Sequence, residues 1–199
     1  MKHVILIHAH KDLGQLNALV GQLAGGEFSV WVNVDAKSEI DVSRIAAPAR
    51  VVRRRIPVYW ADYSQVEATL NSLREIVAAE PAFGKVVFIS AQDFPLLSND
   101  GLREALDRMA GSELLECAPV GAEGWACAER YEYFHWLRGG RPAIAAARLL
   151  ARAMRAFGLR RKMVAGMAPY GGSSWWALSR PCAAAILARC RAAGFTAEP

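Results

Sequence analysis

The chain has 199 residues, of which 53% are hydrophobic and 22% charged, and its formal net charge at pH 7 is +5. This length and composition favour a single folded domain with a buried core, and they exclude an intrinsically disordered chain. No apolar run reaches the roughly 18 residues of a membrane-spanning helix. The first apolar segment lacks the extended core and cleavage site of a signal peptide. We therefore expect a cytoplasmic protein whose four cysteines are reduced.

Strand-like and helix-like segments alternate along the chain. In the first half the predicted elements are a strand at His3–Ile7, a helix at 13–23, a strand at Phe28–Val34, extended pieces at 51–52 and 56–59, a helix at Tyr63–Ala79 and a strand at Lys85–Ser90. In the second half they are a helix at Asn99–Met109, a strand at Glu113–Cys117, helices at Tyr131–Trp136 and Pro142–Phe157, a strand at Ser174–Ser179 and a helix at Arg180–Ala193. This order predicts an α/β fold with a mostly parallel sheet flanked by helices, in one domain over residues 1–199.

Two finer predictions concern the helices. The apolar face of the helix at Tyr63–Ala79 is predicted to consist of Val66, Leu70, Leu73, Ile76 and Val77. Ser98 or Asn99 is the expected N-cap of the next helix, and Pro181 suits the first turn of the last one.

Two basic clusters stand out, one at Arg53–Arg55 and an arginine-rich one from Arg138 to Lys162. Such clusters bind phosphates, nucleic acid or anionic lipid, but they are more often simply the solvated face of a helix. The chain has no recognised nucleic-acid-binding motif, so we expect no nucleic-acid partner. Peripheral contact of the basic helix with the inner face of a membrane stays open.

Polar residues follow the predicted strands, where ligands bind in open α/β sheets. They are His8-Ala9-His10, Asp35, Gln92-Asp93 and the turn at Gly171-Gly172. Asp35 can accept hydrogen bonds from a ribose or a base, and Asp93 could face a sugar hydroxyl or a metal. Either aspartate can instead cap a turn. Of the adjacent Trp175 and Trp176, either could line a pocket as a stacking platform. No glycine-rich phosphate loop is present.

His8 and His10 also permit a metal-dependent hydrolase, since alternate residues of a strand share one face. A catalytic zinc needs three protein ligands, and the remaining histidines, His3 and His135, lack ligand-like spacing. We therefore expect no metal. A serine hydrolase is not supported either, because a nucleophile elbow at Ser173 would need glycine where Trp175 stands.

Five segments together resemble the core-2/I-branching glycosyltransferases, the family that includes the peptide O-xylosyltransferases. In chain order they are Leu6-Ile7-His8-Ala9-His10-Lys11, Val32-Asn33-Val34-Asp35-Ala36-Lys37-Ser38, the segment VYWADYSQVEATL at 58–70, Ser90-Ala91-Gln92-Asp93-Phe94-Pro95-Leu96 and Gly172-Ser173-Ser174-Trp175-Trp176-Ala177-Leu178. The resemblance extends over almost the whole chain, and the third and fifth segments are long enough to be specific.

The resemblance implies a GT-A-like fold and an inverting, metal-independent transfer of GlcNAc or xylose from UDP-GlcNAc or UDP-xylose to a hydroxyl of a glycan or other acceptor. It implies no cofactor, and the lone Asp93 agrees because Gln92-Asp93-Phe94 is not an Asp-x-Asp motif. By residue match, Ile7, Asp35 and Tyr59 would contact the uridine. The full expected donor-binding set is Ile7, His10, Asp35, Tyr59, Asp93, Gly172 and Ser173. The expected acceptor-binding residues are Glu116 and Trp175.

The catalytic base that the family would supply is a glutamate in a segment of the type Thr-x-x-Pro-x-Glu. That segment begins here as Thr196-Ala197-Glu198-Pro199, so the expected base lies beyond Pro199 and no residue of this chain is assigned as catalytic. The resemblance therefore implies a chain that is weakly active or inactive by itself. The alternative function is a non-catalytic module that binds nucleotide sugars or carbohydrate.

Overall fold

The computed structural model describes residues 1–121, 129–133, 141–161 and 166–195. Within these residues the chain divides into two compact units. The first unit comprises Met1–Val58, Tyr63–Leu115 and the chain from Trp175 onward, and the second comprises Tyr59–Asp62 and Glu116–Ser174. The prediction of a single domain over residues 1–199 stays a prediction.

The first unit contains a six-stranded sheet in the described part of the chain. Its strands are β1 (His3–Ala9), β2 (Phe28–Val34), β3 (Arg50–Val51), β4 (Lys85–Ser90), β5 (Leu114–Leu115) and β8 (Trp176–Ser179), in the spatial order β3-β2-β1-β4-β8-β5. The pairs β1–β2, β1–β4 and β2–β3 are parallel, whereas β8 runs antiparallel to both β4 and β5. The predicted α/β class with a mostly parallel sheet is therefore confirmed.

Helices cover both faces of this sheet. Successive residues of a strand point to opposite faces, so each face contributes its own set of side chains to the core. On one face, Ile5, Ile7, Val30 and Val32 pack against α1 (Leu13–Leu23) and α3 (Asn99–Arg108). On the other face, residues of β1, β2 and β4 pack against α2 (Ser64–Ala79) and α6 (Arg180–Ala192), and the buried residues of this second cluster include Val4, Leu6, Trp31, Leu73, Ile76, Val86, Phe88 and Ala183. The central strands are therefore apolar on both sides, as expected of a covered parallel sheet.

The helix starts agree with the capping chemistry of the sequence. Ser98 caps α3 by accepting a hydrogen bond from the Gly101 amide, and Ser179 caps α6 by accepting one from the Cys182 amide, with Pro181 in the first turn. The predicted apolar face of α2 is wrong at Val66, which is 49% exposed. The predicted Leu70, Leu73 and Ile76 are buried, together with Ala68. Val66 lies on the same side of the helix as Leu70 and Leu73, within about 40° around the axis, but in the first turn of α2.

The described part of the second unit contains four elements. They are β6 (Ala118–Pro119), α4 (Glu129–Glu132), α5 (Arg141–Ala156) and β7 (Tyr170–Gly171), with β6 and β7 paired antiparallel. The predicted strand at Glu113–Cys117 is shorter than expected, because only Leu114–Leu115 pairs with β8. The loop expected at 166–172 contains β7. No helix of the described residues is long and apolar enough to cross a membrane.

Several predicted features lie outside the described residues. These are Cys127, His135, Trp136, Arg138, Lys162 and the segment 196–199 with Glu198. Of the described cysteines, Cys117, Cys182 and Cys190 are free thiols.

Candidate functional site

A cleft of about 480 Å³ opens at the carboxyl ends of β1 and β2, in the first unit. Two loops form it, one from β1 into α1 and one following β2. Its lining is strongly charged and consists of His10, Lys11, Asp12, Leu13, Lys37, Ser38, Glu39, Ile40, Asp41 and Arg44. The carboxyl edge of parallel strands is the place where open α/β sheets bind ligands, so this cleft is the candidate site in the first unit.

Two of the acidic side chains in the cleft already have structural roles. Asp12 caps α1 by accepting a hydrogen bond from the Gln15 amide over 2.9 Å. Asp41 accepts hydrogen bonds from the hydroxyl and the amide of Ser43, which lower the pKa of its carboxyl group. Because these carboxylates are committed to helix starts, Lys11 and Arg44, which also line the cleft, are cations that a bound anion could contact.

Asp35 lies at the junction of the strand ends. Its amide donates to the Ala9 carbonyl over 2.9 Å, which extends the β1–β2 pairing by one bond. Its Oδ1 accepts hydrogen bonds from the amides of Lys37, over 2.8 Å, and Val58, over 3.2 Å. Its Oδ2 lies 3.6 Å from Lys37 Nζ. The carboxylate is thus held in one orientation by one of its oxygens, while its second oxygen faces a lysine of the cleft.

Arg55 fixes the loop that carries Asp35. Its guanidinium donates to the backbone carbonyls of Val34, Asp35 and Ser38 at 2.9–3.3 Å. The sequence identifies this residue only as part of a basic cluster, and nothing in its spacing predicts that it binds the backbone of this loop. Its neighbour Arg54 instead forms an ion pair with Glu67 over 3.3 Å, so the members of the cluster have different roles.

Ile7 and His10, both predicted to bind the donor, differ in accessibility. Ile7 is 0% exposed and lies in the core between Val32 and Ile89. Its side chain is therefore closed to a ligand in this conformation, and its donor contact stays a prediction. His10 is exposed and lines the cleft.

Asp93 lies at the carboxyl end of β4. Its Oδ2 accepts a hydrogen bond from the Ser90 amide over 2.6 Å, and its own amide donates to the Ser90 carbonyl over 3.1 Å. This is the turn-capping role that the sequence left open beside a sugar contact. The side chain stays half-buried, so its predicted donor role remains untested.

His8 lies close to an aromatic cluster on the α2–α6 face of the sheet. Its ring packs edge-on against Phe88 with centroids 4.6 Å apart, and its Nε2 lies 3.2 Å from the side-chain Nδ2 of Asn33. Burial lowers the pKa of His8 to about 4, so the imidazole is neutral near pH 7. Across the described ranges, no group of three or more His, Cys, Asp or Glu side chains is arranged to hold a metal ion.

Trp176 is the first residue of β8, and Trp175 directly precedes it. Both rings contact Phe88, with centroids 5.6 Å away for Trp175 and 5.2 Å away for Trp176. Trp176 packs against the core, whereas Trp175 is 46% exposed. Of the two tryptophans, Trp175 is therefore the one with surface available for a ligand.

In the second unit, two residues that the sequence placed in different subsites lie together. Gly172 approaches the backbone of Glu116 so closely that a side-chain Cβ would overlap the Glu116 carbonyl oxygen. The adjacent pairing of Ala118 with Gly171 fixes this contact. The other predicted residues of this unit, Tyr59 and Ser173, are both exposed.

Comparison with known proteins agrees with the motifs. The family model for the Core-2/I-Branching enzyme matches residues 6–191. No curated protein sequence matches the chain. Among solved structures, one match is 4-diphosphocytidyl-2C-methyl-D-erythritolsynthase from Anaerococcus prevotii DSM 20548, at 9% identity and a TM-score of 0.47, covering 100% of this chain and 78% of that chain. A structural similarity this low carries no functional argument. The family match covers nearly the whole sequence, so the chain belongs to the Core-2/I-branching enzyme family of glycosyltransferases, which use a nucleotide-sugar donor and a glycan acceptor.

Proposed function

We propose that this protein is an inverting glycosyltransferase that moves GlcNAc or xylose from the corresponding UDP-sugar to an acceptor hydroxyl, without a metal ion or other cofactor. The cleft at the carboxyl ends of β1 and β2 is the proposed donor site. Its residues hold the nucleotide, and its cations offset the charge that develops on the departing diphosphate. Holding donor and acceptor in line supplies much of the remaining rate enhancement.

The geometry of Asp35 is the observation that supports donor binding best. Its Oδ1 is saturated by two backbone amides, and the Arg55 guanidinium holds the backbone on either side of it. A carboxylate fixed in this way loses little entropy when its second oxygen accepts hydrogen bonds from a ribose or a uracil. The ion pair between Oδ2 and Lys37 is partly exposed and weak, so a ligand can replace it.

Lys11 and Arg44 support the diphosphate part of the proposal. Both are exposed and line the same cleft as His10. Basic side chains can stabilise a leaving diphosphate in place of a divalent cation. That Asp93 is engaged by the Ser90 amide also fits a donor site that does not rely on this carboxylate for a metal.

The proposed acceptor contacts are Glu116, in the second unit, and Trp175, in the first unit. Glu116 is exposed, and its backbone is positioned by the close approach of Gly172. The exposed face of Trp175 is suited to stacking against a sugar ring. We propose no general base among the described residues.

The test is a titration of the chain with UDP, UDP-GlcNAc, UDP-xylose and UDP-glucose, using isothermal calorimetry with and without EDTA. We expect one UDP-sugar to bind, and EDTA to leave its affinity unchanged. Asp35→Asn should weaken binding about 10- to 100-fold, because a hydrogen bond to a charged group contributes roughly 1.5–3 kcal/mol. Asp100→Asn, on the exposed first turn of α3, is the matched control and should bind like the wild type.

The outcomes separate the parts of the proposal. If a folded sample binds no UDP-sugar, the donor assignment is wrong. A loss of binding in EDTA that Mn²⁺ restores would overturn metal independence alone. Equal affinities of the Asp35→Asn and Asp100→Asn variants would remove Asp35 from the donor site.

A further inference from the structure

Helix α5 has a one-sided charge that its fold position does not explain. From Arg141 to Arg161 the sequence contains six arginines and no aspartate or glutamate. Past the carboxyl end of α5, Arg160 forms an ion pair with Glu132 over 3.2 Å. The arginines in the middle of α5, Arg148 and Arg152, form no ion pair with another described residue.

The side chains of α5 divide into three sectors around its axis, since each residue advances 100°. One sector is half-buried and faces the protein, and it consists of Ile144, Ala147, Ala151 and Met154. A second sector is an arginine stripe formed by Arg148, Arg152 and Arg155, spaced as i, i+4 and i+7. The Arg155 guanidinium stacks over the Tyr133 ring, 4.9 Å from its centroid, so Arg148 and Arg152 are the stripe's arginines for a partner. The third sector is apolar and open to solvent, and it contains Ala145, Ala146, Leu149, Leu150, Ala153 and Phe157.

The open sector is the unusual one. Leu149 is 68% exposed, Leu150 is 61% exposed, and Phe157, just past the helix end, is 79% exposed. A single exposed leucine needs no explanation, but large apolar side chains grouped on one side of a helix mark an interaction surface. This surface lies beside the arginine stripe, so its partner must accept both apolar burial and positive charge.

We propose that α5 is an interfacial helix that binds the surface of an anionic lipid bilayer. Apolar side chains would insert roughly 5–10 Å into the boundary between headgroups and acyl chains, and the flanking arginines would contact lipid phosphates. Charge complementarity favours this occupant, because a stripe of arginines without acidic residues matches a negatively charged leaflet. A basic amphipathic helix with leucine and phenylalanine on its other face has the composition of such anchors.

Two other occupants fit less well. A second copy of the chain docked through α5 across a twofold axis would bring arginine stripes near one another, and like charges repel. Nucleic acid would pair with the arginines but would leave the Leu149–Leu150 surface exposed to water. The bilayer is the partner that uses both sectors.

The test is co-sedimentation of the full chain with vesicles of phosphatidylcholine alone or with about 30 mol% phosphatidylglycerol. We expect binding to the anionic vesicles only, and release by high salt. Arg148→Glu with Arg152→Glu should weaken binding by at least about tenfold, since each basic residue near the surface contributes about fivefold. Leu149→Gln with Leu150→Gln should weaken it similarly, and glutamine keeps the helix propensity.

Matched controls keep the test falsifiable. Arg53→Glu with Arg189→Glu changes the net charge equally at exposed positions in the first unit, and Leu96→Gln with Leu97→Gln removes two exposed leucines elsewhere. Both controls should bind like the wild type, and circular dichroism should show all four variants folded. The proposal is overturned if the wild-type chain does not bind anionic vesicles, or if either α5 variant binds them as well as its control does. Self-association through Leu149 and Leu150 without vesicle binding would also overturn it.

Discussion

His8 couples the stability of the first unit to pH. Its pKa is about 4 in the folded chain, compared with 6.5 for an exposed histidine, because burial disfavours the imidazolium. The unfolded chain therefore binds the proton more tightly. Stability is full above pH 6.5 and falls as the pH drops towards 4, reaching a loss of about 2 kcal/mol at pH 5 from this residue alone.

We therefore expect His8→Gln to flatten the pH dependence of unfolding between pH 7 and pH 5 by about 2 kcal/mol. Urea denaturation at the two pH values measures the difference. His10→Gln, at an exposed position, should keep the wild-type slope. If the His8→Gln variant retains the full wild-type pH dependence, the residue titrates normally in the folded state.

Gly172 is a residue whose identity the backbone dictates. Adding a methyl group there would overlap the Glu116 carbonyl, which is main chain and cannot rotate away. Gly172→Ala should therefore separate β7 from the chain at Glu116 and destabilise the fold by roughly 1–3 kcal/mol. Gly121→Ala is the matched control in the same unit, because no atom lies within 4 Å of its added Cβ. Thermal unfolding and limited proteolysis compare the two variants, and equal stability would show that the contact is relaxed in solution.

At the scale of elements, the loop after β2 depends on a single arginine. Arg55→Ala would remove a charged donor from the carbonyls of Val34, Asp35 and Ser38. We expect a loss of about 2 kcal/mol in unfolding free energy and a weaker affinity for UDP-sugar, because Asp35 would no longer be held. Arg53→Ala, on an exposed neighbour, should change neither quantity. Arg55→Lys should recover part of the affinity for UDP-sugar if the positive charge is needed. If Arg55→Ala leaves that affinity unchanged, Arg55 contributes to the stability of the fold only.

Sequence patterns predicted elements where periodicity and burial agree. The strands at Phe28–Val34 and Lys85–Ser90 match their predicted bounds because they are apolar runs covered on both faces. Tertiary contacts decided the rest. Val66 lies on the predicted side of α2 but is exposed in its first turn, and β5 is limited to Leu114–Leu115, the residues that pair with β8.

The candidate site was predictable in place but not in detail. The rule that ligands bind beyond the carboxyl ends of parallel strands selected His10, which lines the cleft, and Asp35, which pairs with the cleft residue Lys37. The brace from Arg55 and the contact between Gly172 and Glu116 join residues far apart in sequence. No local pattern encodes either contact, and both became visible only with the fold.

For the whole molecule, the two units differ in how deeply their helices and strands are buried. In the first unit, β1, β2 and β4 lie between two apolar clusters; β1 and β2 are almost completely buried, and half of the residues of β4 are. In the second unit, α5 has no fully buried side chain among its described residues. Local opening needs little free energy where few apolar contacts must break.

We therefore expect amide hydrogens of β1, β2 and β4 to exchange slowest, with protection near the global free energy of unfolding. Those of α5 should exchange orders of magnitude faster in the lipid-free chain, since its helix is held mainly by local hydrogen bonds. Hydrogen exchange with mass spectrometry measures both in one sample, and α6, packed on the sheet, is the control helix. Protection of α5 equal to that of β1 would mean that its exposed face is covered in solution. Protection that appears only when anionic vesicles are added would instead locate the lipid contact on this helix.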